Sequence, residues 1–64
     1  MTPRQFKDGR RSLGMTQETL ARVMGYNGQP KIAAIETRET DVPPRAARLM
    51  ESYLRGDRPP DWPQ

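Results

Sequence analysis

Apolar residues in this chain recur at three- and four-residue intervals in four stretches, and glycine or proline separates the stretches. This spacing predicts four amphipathic α-helices. The first begins at Thr2, which can act as the N-cap, with Pro3 at the first helical position and Gln5 completing a capping box. Gly14 ends it, because the left-handed conformation at a helix C-terminus favours glycine. Its predicted inner face consists of Phe6, Gly9, Arg10 and Leu13.

The second helix follows at once and is short. Thr16 is its predicted cap, and Glu18 lies near the positive end of the helix dipole. Its buried stripe consists of Leu20, Ala21 and Met24. Gly25 ends this helix. We expect Tyr26-Asn27-Gly28 to form a tight turn, because asparagine and glycine both tolerate positive φ.

A third helix is predicted from Gln29 or Pro30 to about Thr37, because proline is tolerated only in a first helical turn or a loop. Its predicted inner face carries Ile32, Ile35 and Glu36. Its outward face carries Gln29, Lys31, Ala34 and Arg38. The inner face packs on the domain and leaves the outward face free.

The fourth helix opens at Pro43-Pro44 and is capped by Gly56. Its apolar stripe is Ala46, Leu49, Met50, Tyr53 and Leu54. The segment that follows carries three prolines around the single Trp62 and is expected to be extended. The sequence therefore predicts an all-α, four-helix domain over residues 1–56 and a short, extended, proline-rich tail over residues 57–64.

Composition limits the chemistry that this chain can carry. A chain of 64 residues makes one small domain, with a core too thin for a substrate cavity beneath it. Cysteine and histidine are both absent, which excludes disulfides and thiolate metal sites and removes the commonest general base. We therefore expect a non-enzymatic protein with no cofactor, metal or small-molecule ligand. No apolar run is long enough for a membrane span or a signal peptide, so a cytoplasmic location is expected.

The amount and distribution of charge along the chain indicate what kind of partner it binds. The net charge is +3, and residues 1–38 carry seven cations against three carboxylates, whereas residues 39–64 carry four against five. A basic half of a small domain favours a phosphate-bearing partner, and a solvated charged surface is the alternative interpretation. Nine of the eleven cations are arginine, the residue best suited to bidentate contacts with phosphate or guanine.

Two short helices joined by a glycine-containing turn are typical of a helix-turn-helix unit. The stretch that carries this pattern resembles the helix-turn-helix family of phage repressor and Cro proteins over roughly residues 4–54. The matching positions are Arg10, Leu13-Gly14-Met15-Thr16-Gln17, Leu20-Ala21, Gly25, and Ile32, Ile35 and Glu36. Two features depart from the family: Gly25 to Glu36 is one residue longer than the common spacing, and Pro30 lies near the start of the third helix.

The resemblance implies a lambda-repressor-like fold and binding to double-stranded DNA, usually as a homodimer. It implies that Gln17 contacts a phosphate, that Gln29 and Lys31 read base edges, and that Arg10 and Glu36 form a partly buried ion pair. The full set of predicted DNA-binding residues is Arg11, Thr16, Gln17, Asn27, Gln29, Lys31, Ala34 and Arg38. Ordinary exposed or capping roles are the alternative for these residues.

The apolar residues Tyr53, Leu54 and Trp62 near the end of the chain favour two interpretations equally. They form either a dimer interface or a small local core made by the tail folding back. The predicted function is a dimeric, sequence-specific transcriptional repressor of a small phage or bacterial operon, acting by occlusion at an inverted repeat. The alternative is an antitoxin-like or accessory protein-interaction module in which DNA binding is secondary.

Overall fold

The computed structural model describes residues 1–63, which form four α-helices and, within that range, no β-strand. The helices are α1 (Pro3–Ser12), α2 (Gln17–Met24), α3 (Gln29–Thr37) and α4 (Pro44–Leu54). α2 packs most extensively on α3, and α1 packs against both α3 and α4. The all-α, four-helix prediction is therefore confirmed.

Local capping explains where the first two helices begin and end. The Thr2 hydroxyl accepts from the Gln5 amide and the Gln5 side chain accepts from the Thr2 amide, which is the predicted capping box. Thr16 caps α2 by accepting from the Thr19 amide. Gly25 has φ of 84°, and the Tyr26 amide donates to the Ala21 carbonyl oxygen across it at 2.8 Å.

The link between α2 and α3 forms differently from the sequence prediction. Gly28 has φ of 171°, which is extended backbone, and no residue other than glycine has positive φ among residues 1–63. The expectation that Asn27 and Gly28 turn through positive φ is therefore wrong. Gly25 is the left-handed residue of this link, and the chain bends at Asn27 and Gly28 before α3 begins.

The core lies between the four helices and includes residues from the connecting segments. Its buried apolar members are Phe6, Met15, Leu20, Ala21, Val23, Met24, Ile32, Ile35, Val42, Ala46, Met50 and Tyr53. Val42 belongs to this core although it lies in the segment between α3 and α4. Its amide donates to the Met1 carbonyl oxygen at 2.9 Å, which brings the first residue of the chain to this loop.

Helix α1 approaches α4 closely at Gly9. A Cβ atom at this position would lie 2.9 Å from the Met50 sulfur and 3.5 Å from a terminal carbon of Leu54. Only a residue without a side chain fits there while Met50 keeps its place. Leu54, on the predicted apolar stripe of α4, is 48% exposed at the edge of this contact.

The tail folds back onto α4 instead of extending. The Trp62 amide donates to the Pro59 carbonyl oxygen at 3.0 Å, and the Trp62 ring meets Tyr53 edge to face at 5.1 Å between ring centroids. The Arg58 guanidinium lies 4.1 Å from the centre of the Trp62 ring and donates to the Tyr53 carbonyl oxygen. The prediction of an extended tail is therefore wrong for its described residues, and Gln64, its last residue, lies outside them.

This docking forms the local core that was one of the two interpretations of the terminal apolar residues. Tyr53 is 3% exposed and is covered by Trp62 of its own chain, so within one chain it presents little surface. The predicted dimer interface would therefore depend on Leu54 and Trp62 more than on Tyr53. Leu54 and part of Trp62 remain accessible.

None of the helices described in residues 1–63 has the length and apolarity that crossing a membrane requires.

Substitution of Met50 tests how much of the free energy of unfolding depends on the α1–α4 contact. Met50 is fully buried, so Met50→Ala should lower the free energy of unfolding by about 2–5 kcal/mol through lost burial and the cavity left behind. Leu54→Ala, on the same helix but half exposed, should cost about 1 kcal/mol or less. Urea unfolding followed by circular dichroism measures both, and equal losses would contradict the packing described here.

Candidate nucleic-acid interface

A nearly buried ion pair joins α1 to α3. The Arg10 side chain donates from Nε to Glu36 Oε2 at 2.7 Å and from Nη2 to Glu36 Oε1 at 3.2 Å. Its Nη1 donates to the Met15 carbonyl oxygen at 2.8 Å, in the segment between α1 and α2. The two side chains are 11% and 4% exposed. The structure thus brings together Arg10 and Glu36, the pair that the resemblance implies. Their bidentate geometry favours arginine over lysine.

A hydrogen-bonded relay extends from this pair to the start of α3. The Gln17 side-chain amide donates to Glu36 Oε1 at 3.0 Å, and the Gln29 side-chain amide donates to Gln17 Oε1 at 2.6 Å. Gln17 and Gln29 are the first residues of α2 and α3. The relay therefore fixes the beginnings of both helices next to each other and orients both glutamine amides.

The sequence predicts Gln17 and Gln29 in the same site but not that they bond to each other. One signal was available: Glu36 follows Gln29 by seven residues, about two helical turns, so both lie on the same face of α3 and the predicted division into an outward Gln29 and an inner Glu36 is too sharp. The contact between Gln17 and Glu36 spans 19 positions in the chain, and the packing of α2 on α3 brings these two residues together.

The Glu36 carboxylate is held in its charged form. Burial by itself would raise its pKa, but the hydrogen bonds from Arg10 and Gln17 and the positive charges of Arg10 and Lys7 outweigh burial. The pKa of Glu36 consequently lies below its ordinary value. A charged Glu36 can only accept hydrogen bonds, so Gln17 must turn its NH2 group toward it and its oxygen toward Gln29.

That orientation decides what Gln29 presents to a partner. Its NH2 group donates one hydrogen to Gln17 and retains a second, and its Oε1 accepts no hydrogen bond within residues 1–63. Gln29 is exposed. The free edge at the start of α3 therefore offers one donor beside one acceptor.

The remaining predicted contact residues are distributed over α1, α3 and the connecting segments. Arg11, Thr16, Asn27, Lys31, Ala34 and Arg38 are all exposed. The Lys31 ammonium lies 5.7 Å from the centre of the Tyr26 ring, which draws it toward the turn between α2 and α3. Arg38 donates twice to the Thr40 hydroxyl, at 3.2 and 3.0 Å, which restrains its guanidinium at the end of α3.

An open groove of about 540 Å³ lies between α1 and the end of α3. It is lined by Thr2, Pro3, Arg4, Lys7, Asp8, Arg11, Glu36 and Arg38. Within the described part of the chain, no group of three or more acidic, cysteine or histidine residues is arranged to hold a metal ion. The cations of the groove and the free glutamine edge are thus the chemical features of this face.

Removing the charge of Glu36 tests the ion pair. Glu36→Gln leaves the Arg10 guanidinium without a counter-charge in a nearly buried position, and we expect the free energy of unfolding to fall by about 3–5 kcal/mol. The control is Arg55→Gln, which removes an exposed pair with Asp57 whose charged atoms are 4.0 Å apart, and should cost no more than about 1 kcal/mol. A Glu36→Gln melting curve that coincides with the control's would contradict the role of the pair.

The same variant gives a pH dependence. Because the pKa of Glu36 is lowered by folding, its contribution to stability is complete above the pKa of an unfolded glutamate, about 4.3, and is lost as the pH falls through the lower folded value. The difference in unfolding free energy between the natural chain and Glu36→Gln should therefore shrink between neutral pH and about pH 3. A difference that stays constant over this range would show that Glu36 is not charged in the folded state.

The chain matches no protein-family model, no curated protein and no solved structure. The interface is accordingly defined by its own geometry and charge: an ion pair that fixes two glutamine side chains, beside a groove lined with cations.

Proposed function

We propose that this protein is a sequence-specific, double-stranded DNA-binding regulator in which α2 and α3 act as a helix-turn-helix unit. In this proposal α3 enters the major groove and its first residues read base edges. The observation that carries the proposal is the relay from Arg10 through Glu36 and Gln17 to Gln29, because it holds a free glutamine edge in one orientation at the start of α3.

The free edge of Gln29 fits adenine. A glutamine that offers one donor and one acceptor can pair bidentately with N7 and N6 of adenine in the major groove. An amide free to rotate would present these groups in either order, whereas the relay fixes the donor next to Gln17. We infer that Gln29 specifies adenine and that Gln17, at the start of α2, meets a backbone phosphate.

The proposal includes a homodimer. Successive major grooves on one side of a duplex lie about 34 Å apart, and each groove would take one α3. A second copy related by a two-fold axis would supply the second α3. Two copies bound at an inverted repeat would cover the site and repress transcription by occlusion, which implies a location in the cytoplasm of a bacterial cell.

A second function rests on a different observation. Leu54 is 48% exposed at the end of α4, and Trp62 of the docked tail is partly exposed. This surface suits an antitoxin-like or accessory module that docks on a protein partner, with DNA binding secondary. Co-purification of a stoichiometric partner that is lost in Leu54→Ser would favour this second function.

Selection from randomised duplex DNA tests the regulator proposal. We expect an inverted repeat with an adenine in each arm, and Gln29→Ala should lose discrimination at that adenine by about 1–3 kcal/mol. Arg11→Ala serves as the contrast, because an exposed phosphate-contacting arginine should weaken binding to all sequences alike. Recovery of no motif would contradict the proposal, and so would a Gln29→Ala variant with unchanged base preference.

A further inference from the structure

Three of the cations that line the groove form a stripe along α1. Arg4, Lys7 and Arg11 follow one another at intervals of three and four residues, which places them on one face of the helix. Arg38 faces them from the end of α3, where Thr40 restrains its guanidinium. The groove is therefore lined with positive charge on both sides.

Most of the positive charge of the groove is not neutralised within the fold. Among residues 1–63 the ion pairs are Arg10–Glu36 and Arg55–Asp57, so no lining cation of the groove is paired with a carboxylate there, although the charge of Lys7 helps to lower the pKa of Glu36. Of the two acidic residues in the lining, Glu36 is neutralised by Arg10 behind it, and Asp8 is the other. The four lining cations outnumber these carboxylates, so the groove retains an excess of positive charge.

The groove is linked to the proposed base-reading edge through Glu36. Glu36 lines the groove and also accepts the hydrogen bond from Gln17, whose own oxygen accepts from Gln29. The relay that orients Gln29 therefore starts at a residue of the groove lining. From Arg4 to Arg11 the stripe extends for about 10 Å, the length of about three base-pair steps.

We propose that the groove between α1 and the end of α3 binds the sugar-phosphate backbone of one DNA strand on the flank of the segment that α3 reads. For its ligand this inference rests on the proposed function, and it extends the contact beyond the base-reading helix. A phosphodiester strand fits better than a small anion, because the three cations on α1 follow one another over about 10 Å of the helix instead of sharing one turn.

The salt dependence of binding tests the groove. The probe is a mixed-sequence duplex without an inverted repeat, because backbone contacts require no particular sequence. Neutralising one phosphate contact should reduce the slope of log K against log salt by about 0.9. We expect this reduction in Arg4→Gln, Lys7→Gln, Arg11→Gln and Arg38→Gln.

The matched controls are Arg45→Gln and Arg48→Gln, exposed arginines on α4 that do not line the groove. They remove the same charge from the protein and should leave the slope unchanged. Equal slopes in the groove and control variants would overturn the inference, since net charge alone would then explain binding. Melting curves of every variant confirm that each remains folded before its slope is compared.

The place of contact can be mapped directly. The chain has no cysteine, so Lys7→Cys or Arg48→Cys can carry a single iron chelate that cleaves nearby DNA backbone. On a selected inverted repeat, the Lys7→Cys conjugate should cut the flank of each arm and the Arg48→Cys conjugate should not. Cutting by both conjugates at the same positions, or by neither, would contradict the groove assignment.

Failure of this inference and failure of the proposed function can be told apart. If selection recovers no motif but the groove variants still lower the salt slope, base reading is absent and the backbone site stands. If selection recovers a motif and the slopes do not differ from the controls, the regulator stands and the groove site is wrong. Loss of tripolyphosphate binding in the groove variants with unchanged duplex binding would assign the groove to a small polyanion and overturn the inference.

Discussion

The constraint on which this structure depends is the placement of a guanidinium group inside a small helical domain. Burying a charged group is costly unless it is paired and hydrogen-bonded. Arg10 meets this requirement with donors from all three of its nitrogens, two to Glu36 and one to the Met15 carbonyl oxygen. These bonds join α1, the α1–α2 segment and α3, so one side chain ties together three parts of the chain. The orientation of Gln17 and Gln29 follows, because Glu36 can only accept and each glutamine must then turn its NH2 group toward the preceding residue of the relay.

The apolar core supplies the rigidity that this relay needs. Ile32 and Ile35 are almost completely buried and hold α3 on the domain, while Gln29 and Ala34 on the same helix face outward. On the other side of the molecule Gly9 lets α1 lie close to Met50, and the docked tail covers Tyr53. In a chain this short, buried area is scarce, so using the tail and the loop residue Val42 as core adds stability that the helices alone would lack.

Charge is divided between structure and surface. Arg10 and Glu36 neutralise each other inside the fold, and Arg58 is engaged with the Trp62 ring and the Tyr53 carbonyl oxygen. The stripe formed by Arg4, Lys7 and Arg11 has no ion pair within residues 1–63, although Lys7 contributes to the lowered pKa of Glu36. Sequence alone assigns these arginines and lysines the same formal charge, and the fold separates those that are paired within it from those that stay unpaired at the surface.

The sequence by itself determined the four helices and most of their ends. Caps such as Thr2 with Gln5, the left-handed Gly25 and the repeat of apolar residues act between near neighbours, so local chemistry is sufficient to predict them. Only the tertiary structure decided that Trp62 packs against Tyr53 and that Gln17 bonds to Gln29. It also decided that Asn27 and Gly28 keep negative or extended backbone angles and that four cations border one groove. Those features join residues that are far apart in the chain or depend on how neighbouring helices pack. A pattern along the sequence carries no information on the distance between such residues, because the core fixes that distance only when the helices pack.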